Sequence, residues 1–188
     1  MKRICALLLC LFLLTGCNGQ SKEMDRAMAL RRKLLSAQGC SFEAEITADY
    51  GDKLHTFAMS CQADAQGNLT FSVTEPETVA GIAGSIGGEG GKLTFDGTVL
   101  HFELLTDDQI SPISAPWILL KTLRGGYLTS ACQEDQLLRL TIDDSYDEDA
   151  LKLDIWLDGQ DKPVRADILF RERRILSLNL TKFEILSL

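Results

Sequence analysis

Apolar side chains recur at every second position through most of this chain. That period commits it to a sheet with one dry face and one wet face. Phe42, Ala44, Ile46, Ala48 and Tyr50 alternate with Glu43, Glu45, Thr47 and Asp49. Phe57, Met59 and Cys61 repeat the pattern, and beyond the turn signal Gln66-Gly67-Asn68 so do Leu69, Phe71 and Val73. Leu93 and Phe95 run into Asp96-Gly97, a strong two-residue hairpin signal, and Leu100, Phe102 and Leu104 follow. Further on, Leu151, Leu153, Ile155 and Leu157 stand opposite Lys152, Asp154, Trp156 and Asp158. Gly159 to Pro163 then turns the chain into Val164, Ala166, Ile168 and Phe170. The last run, Ile175 to Ile185, changes the parity of its apolar set between Leu180 and Phe183, which predicts a bulge. Successive antiparallel strands follow from these spacings.

Two segments break the period. Across Ser21 to Gln38, Met24, Ala27, Met28, Leu34 and Leu35 fall near one helical face, with Ser21 to cap the start and Gly39 to end it. Across Ala115 to Leu123, Pro116 suits a first turn, Trp117, Leu120 and Leu123 share a face, and Gly125-Gly126 stops the element. The class expected is therefore α+β. No linker and no fixed repeat interrupts residues 22–188, which read as one domain.

The first residues have a different anatomy. Lys2 and Arg3 precede an apolar run from Ile4 to Leu14 that is too short to span a bilayer and suits a cleaved signal peptide. Leu14-Thr15-Gly16-Cys17 resembles the bacterial lipobox, in which cleavage precedes a Cys that carries a diacylglycerol. On that reading residues 1–16 are the lipoprotein signal peptide, Cys17 is the lipid attachment site and residues 17–21 are a lipidated tether. Two acyl chains would give durable attachment. The expected location is the cell membrane, lipid-anchored on the extracytoplasmic face.

Charge and composition exclude other classes. Asp and Glu outnumber Lys and Arg 27 to 19, a net charge of −8, which leaves no basic surface for nucleic acid. Gly81, Gly84, Gly87, Gly88, Gly90 and Gly91 do not make a phosphate loop, because Gly91-Lys92 is followed by Leu93. Asp143, Asp144, Asp147, Glu148 and Asp149 lack the Gly that a calcium loop needs and read as a solvated turn. His55 and His101 stand on strands without neighbouring ligand types, and no Gly-x-Ser-x-Gly elbow exists. No catalytic residue, metal site or cofactor is expected, and the protein does not read as an enzyme.

Three cysteines remain in the mature chain. A turn at Tyr50-Gly51 would set Cys40 opposite Cys61 as a disulfide candidate, whereas a turn at Gly51-Asp52 would leave the two diagonal. Cys132 is expected to be a small buried hydrophobe.

Element order, with Gly67-Asn68-Leu69-Thr70-Phe71 and Leu93-Thr94-Phe95-Asp96-Gly97 as the nearest local matches, resembles the LolA-like lipoprotein superfamily. The resemblance implies a strongly curved antiparallel half-barrel, with an N-terminal helix and a short helix covering its concave face around an apolar cavity. Glu43, Glu45, Lys53 and His55 occupy the region where the soluble carriers have a gating Arg, so an anchored member is implied and not a shuttle. Two functions follow from it. In one, the cavity binds a lipid or an acylated protein, with Phe102, Trp117, Leu120 and Leu123 as hydrophobic-ligand candidates. In the other, the protein is an envelope protein-interaction module with no small-molecule ligand, as spore germination lipoproteins look to be.

Overall fold

The structure, a computed structural model, describes residues 22–51, 53–102, 105–106, 109–147 and 150–187. The expected signal peptide and tether, Cys17 included, lie outside the described residues. Helix α1 (Lys22–Ser36) is followed by β1 (Gly39–Asp49), β2 (Leu54–Asp64), β3 (Leu69–Glu75), β4 (Ala83–Gly87), β5 (Gly90–Phe95) and β6 (Thr98–Phe102). The short pair β7 (Leu105–Thr106) and β8 (Gln109–Ile110) leads through a 3-10 turn, Pro112–Ser114, into α2 (Ala115–Gly125). Strands β9 (Tyr127–Glu134), β10 (Leu137–Asp143), β11 (Lys152–Leu157), β12 (Pro163–Phe170) and β13 (Arg173–Leu186) complete the chain.

One sheet of 11 strands runs in the order β6-β5-β4-β3-β2-β1-β13-β12-β11-β10-β9, with every neighbour antiparallel. It is open, with β6 and β9 as its edges. Laid flat it would measure about 50 Å across, at roughly 4.8 Å per strand. Yet Ile86 of β4, Leu138 of β10 and Leu119, Leu120 and Leu123 of α2 share a single core, and α2 is only about 16 Å long. The sheet curls, with α2 in its hollow. Hydrogen bonds hold α2 to both arms of the curve: Arg124 Nη2 donates to Ala65 O at 2.7 Å beyond β2, and Lys121 Nζ to Asp144 Oδ2 at 2.9 Å beyond β10. This is the half-barrel that the resemblance implies.

Helix α1 buries Ala27, Leu30 and Leu34 with Met24 and Met28 half-buried, whereas Leu35, expected on that face, is 53% exposed, because the next position round the helix from Leu34 points to solvent. Arg31 Nε donates to Leu123 O at 2.8 Å, satisfying a carbonyl in the last turn of α2 that has no partner within the helix. Arg26 Nε reaches Asp161 Oδ1 at 2.8 Å in the turn between β11 and β12.

Local signals account for the turns. Asp96 and Gly97 both take positive φ, 47° and 77°, and Phe95 pairs with Thr98 across them, as an Asp-Gly hairpin requires. In β13 the register passes from Ser41↔Glu184 to Glu43↔Thr181, with Lys182 at φ 50°, so the bulge falls where the parity changes. Phe183 thereby turns inward and stacks on Phe42, ring centroids 5.4 Å apart. At the first hairpin the turn closes one residue later than the directly opposed register needs. Gly51 takes φ 91° and donates its N–H to Asp49 Oδ1 at 2.7 Å, Tyr50 N donates to Lys53 O, and Asp49 pairs with Leu54.

Candidate functional site

The hollow of the sheet is filled by α2. Leu119, Leu120 and Leu123 are at most 1% exposed, and Ile46, Leu138, Leu140 and Leu178 meet them in the same core. Leu120 and Leu123 are thus packing residues under the helix. Trp117 lies at its flank, 9% exposed, with Lys121 Nζ 5.6 Å from its ring centroid. It lines an open groove of about 590 Å³ with Leu35, Ile118, Lys121, Asp144 and Leu151. Phe102 belongs to another groove, about 710 Å³, beside Gly87, Gly91 and His101. Its ring sits where a side chain on residue 91 would be, since a Cβ there would meet it at 2.1 Å, so Gly91 is what lets Phe102 fold back over the sheet. The four ligand candidates share a core region but do not line one common cavity.

The helical cover stops short of the β6 edge. Helix α2 packs on β10, β12 and β13, and α1 on β9. Ile86 pairs with Gly91 and Leu93 with Leu100, so Leu93, Phe95, Leu100 and Phe102 continue the inner face onto β5 and β6. There the apolar face is bare: Phe95 is 51% and Leu100 59% exposed, and Val99 on the outer face is 55% exposed.

The outer face of β10, β11 and β12 carries a side-chain network instead. Arg139, Trp156 and Arg165 lie in register across the three strands. The two guanidinium groups sit 5.4 and 4.3 Å from the Trp156 ring centroid, burying it. In the next row Asp154 accepts from Arg139 Nη2 at 2.6 Å and Thr141 Oγ1 at 2.7 Å, and Asp167 accepts from Arg165 Nη2 at 2.7 Å and Ser177 Oγ at 2.8 Å. The hydrogen bond to Asp154 pushes the Arg139 guanidinium above its ordinary pKa. Alternation alone placed Asp154 and Trp156 on a wet face. The signal that finds them is cross-strand, in the Arg and Thr that face them once the register is known. With every carboxylate in it already paired, the network braces the sheet and offers no free acid or base.

Cys40 pairs with Ala63 and Cys61 with Phe42, so the two thiols share the inner face as diagonal neighbours. Diagonal positions lie roughly 7–8 Å apart, at or beyond the ~7 Å a disulfide spans without backbone movement. The directly opposed pairing is thus replaced by the diagonal one, and both thiols are free and buried. Burial pushes Cys40 up to about 11 and Cys61 up to about 12. Cys132 is exposed, contrary to its reading as a buried hydrophobe, because β9 is an edge strand and Cys132 lies on its outer face opposite Arg139. Among the described residues no three His, Cys, Asp or Glu side chains gather as metal ligands, and no helix is long and apolar enough to cross a membrane.

Several solved structures share the course of the chain. A LolA superfamily protein of Nitrosomonas europaea is 10% identical with TM-score 0.46, covering 86% of this chain and 94% of its own. The lipoprotein LppX of Mycobacterium tuberculosis is 13% identical with TM-score 0.41, covering 86% and 92%. A chain of the complex of the CwlD amidase with the GerS lipoprotein of Clostridioides difficile is 13% identical with TM-score 0.43, covering 89% and 98%. No protein-family model matches the sequence, and no curated protein matches it significantly.

Proposed function

We propose that this protein is a lipoprotein of the extracytoplasmic membrane face, held by acyl chains on Cys17, that works as an envelope protein-interaction module. The packed hollow carries this reading. A small-molecule site encloses about 300 Å³ or more of lined space, whereas the space beneath α2 is occupied by Leu119, Leu120 and Leu123. The bare inner side chains of Phe95 and Leu100, beside the half-buried Leu93, favour a second reading, in which a lipid or acyl chain covers them. Native mass spectrometry and solvent extraction of the purified lipoprotein separate the two. No co-purifying lipid beyond the Cys17 adduct is expected, and one non-covalent lipid per chain would favour the second reading. Cys17→Ser is expected to move the folded protein wholly out of the membrane fraction. Retention of that variant in membranes after a salt wash sinks the anchor assignment.

A further inference from the structure

The two edges of the sheet are treated differently, and the difference points to a partner. Strand β9 is guarded: α1 packs beside it, its pairing with β10 carries a bulge between Thr141 and Ile142, and Glu134 closes its end. Such devices keep an edge from pairing with another strand. Strand β6 has none of them. Its sequence, Thr98-Val99-Leu100-His101-Phe102, contains no Lys, Glu, Asp or Pro. Its register with β5 runs unbroken, and Thr98 to His101 are all exposed. The outward backbone N–H and C=O groups of such an exposed edge are solvated by water and free to exchange it for another extended strand, and Val99 and Leu100 leave apolar surface beside them.

We propose that two copies of this chain pair through β6, antiparallel about a two-fold axis at Leu100, so that the two sheets continue into one another. The proposal deepens the reading of an anchored interaction module and rests on it. The strand is self-complementary under that symmetry: Leu100 meets Leu100, Val99 meets His101 and Thr98 meets Phe102, with no formal charge opposed to another. Within the strands β2 to β6 only Asp64, Glu75 and Lys92 are charged, and Glu77, Glu89 and Asp96 lie in the connections between them, so the five paired positions of β6 carry no formal charge themselves. Helix α1, which leads to the anchor, packs at β9, the far edge from β6. Five paired residues bind weakly in dilute solution, and confinement to a membrane raises the local concentration that such an edge needs.

The test uses the full-length lipoprotein in its own membranes, in a Cys132→Ser background that removes the exposed native thiol. A single Cys is placed at Leu100 or, as a control on the other edge, at Thr129. Under mild oxidation with copper phenanthroline, in which two thiols give up two electrons and two protons to form one S–S bond, Leu100→Cys is expected to form a covalent dimer at least about tenfold faster than Thr129→Cys. In the same membranes, adding Val99→Lys and His101→Lys to Leu100→Cys sets like charges opposite one another and is expected to bring the crosslinking rate down to that of Thr129→Cys. Equal crosslinking at the two edges, crosslinking only to other proteins, or an undiminished rate with the two added lysines overturns the proposal. Failure of the anchor is separately visible in the Cys17→Ser fractionation, and the Leu100 to Thr129 comparison is then made on the soluble protein at high concentration.

Discussion

From β9 to β13 the outer face of the sheet carries Arg139, Asp154, Trp156, Arg165 and Asp167, knitted together across strands. From β2 to β6 the same face carries Ser60, Gln62, Thr70, Ser72, Ser85 and Thr94. The inner faces differ in parallel. Under α2 the apolar side chains are sealed, and on β5 and β6 they meet water. The arm that is braced by charge is also the arm covered by helices. Alternation therefore builds a sheet throughout, but one arm is locked by contacts on both faces while the other is left available as a surface.

The contrast breaks first at Leu120 and Leu100. Leu120→Glu places a carboxylate in the sealed hollow and is expected to lose about 5 kcal/mol or more, whereas Leu100→Glu on the bare arm should change stability by no more than about 0.5 kcal/mol. Urea melts of the two variants check this, and comparable losses would erase the distinction between the arms. A smaller effect is expected on the outer face. Trp156→Ala should cost about 3 kcal/mol and Arg139→Ala about 2 kcal/mol, the latter because Asp154 is left buried with Thr141 as its remaining side-chain donor. Near-neutral values from the same melts would show that the network decorates the sheet without bracing it.

At neutral pH the smallest effect lies on β1 and β2, where Cys40 and Cys61 sit, and it shows itself only in alkali. Their folded-state pKa values are raised from 9.0 to about 11 and about 12, chiefly by burial. The folded state therefore holds thiol protons that the unfolded state releases, so this stabilisation is intact below about pH 9 and is lost as pH rises toward 11 and 12. Unfolding free energies measured from pH 8 to 10.5 should fall more steeply for the unsubstituted chain than for Cys40→Ala/Cys61→Ala. At neutral pH iodoacetamide should modify Cys132 and spare both buried thiols.

What the sequence reveals of this molecule divides by range. The strand alternation, the Asp96-Gly97 hairpin, the α2 segment and the parity change before Phe183 each depend on neighbours a few residues away, and each is readable. The first hairpin shows the margin of such reading, because moving its turn by a single residue converts an opposed Cys40–Cys61 pair into a diagonal one. Burial of Asp154 and Trp156 depends on Arg139 and Arg165, which belong to other strands, and exposure of Cys132 depends on β9 having no outer neighbour. Neither fact exists until the strands are ordered. Phe102, Trp117, Leu120 and Leu123 are legible in the sequence as apolar residues on strand and helix faces, but whether such residues line a space or fill it is a matter of tertiary packing that no periodicity records.

Strand β1 lies between β2 and β13, its Glu45 paired with Asn179 and Gln38 N donating to Leu186 O at 2.8 Å. The middle of the sheet is thus joined by the first and last strands of the chain. Closing a loop of that length costs entropy before any of its contacts are gained, and topologies dominated by such pairings fold slowly. A chain that emerges N-terminus first has both arms of the sheet available as local hairpins while the seam between them is missing. The seam can form only after β13 has emerged, so the order of synthesis keeps the half-barrel open along its centre until the last strand arrives.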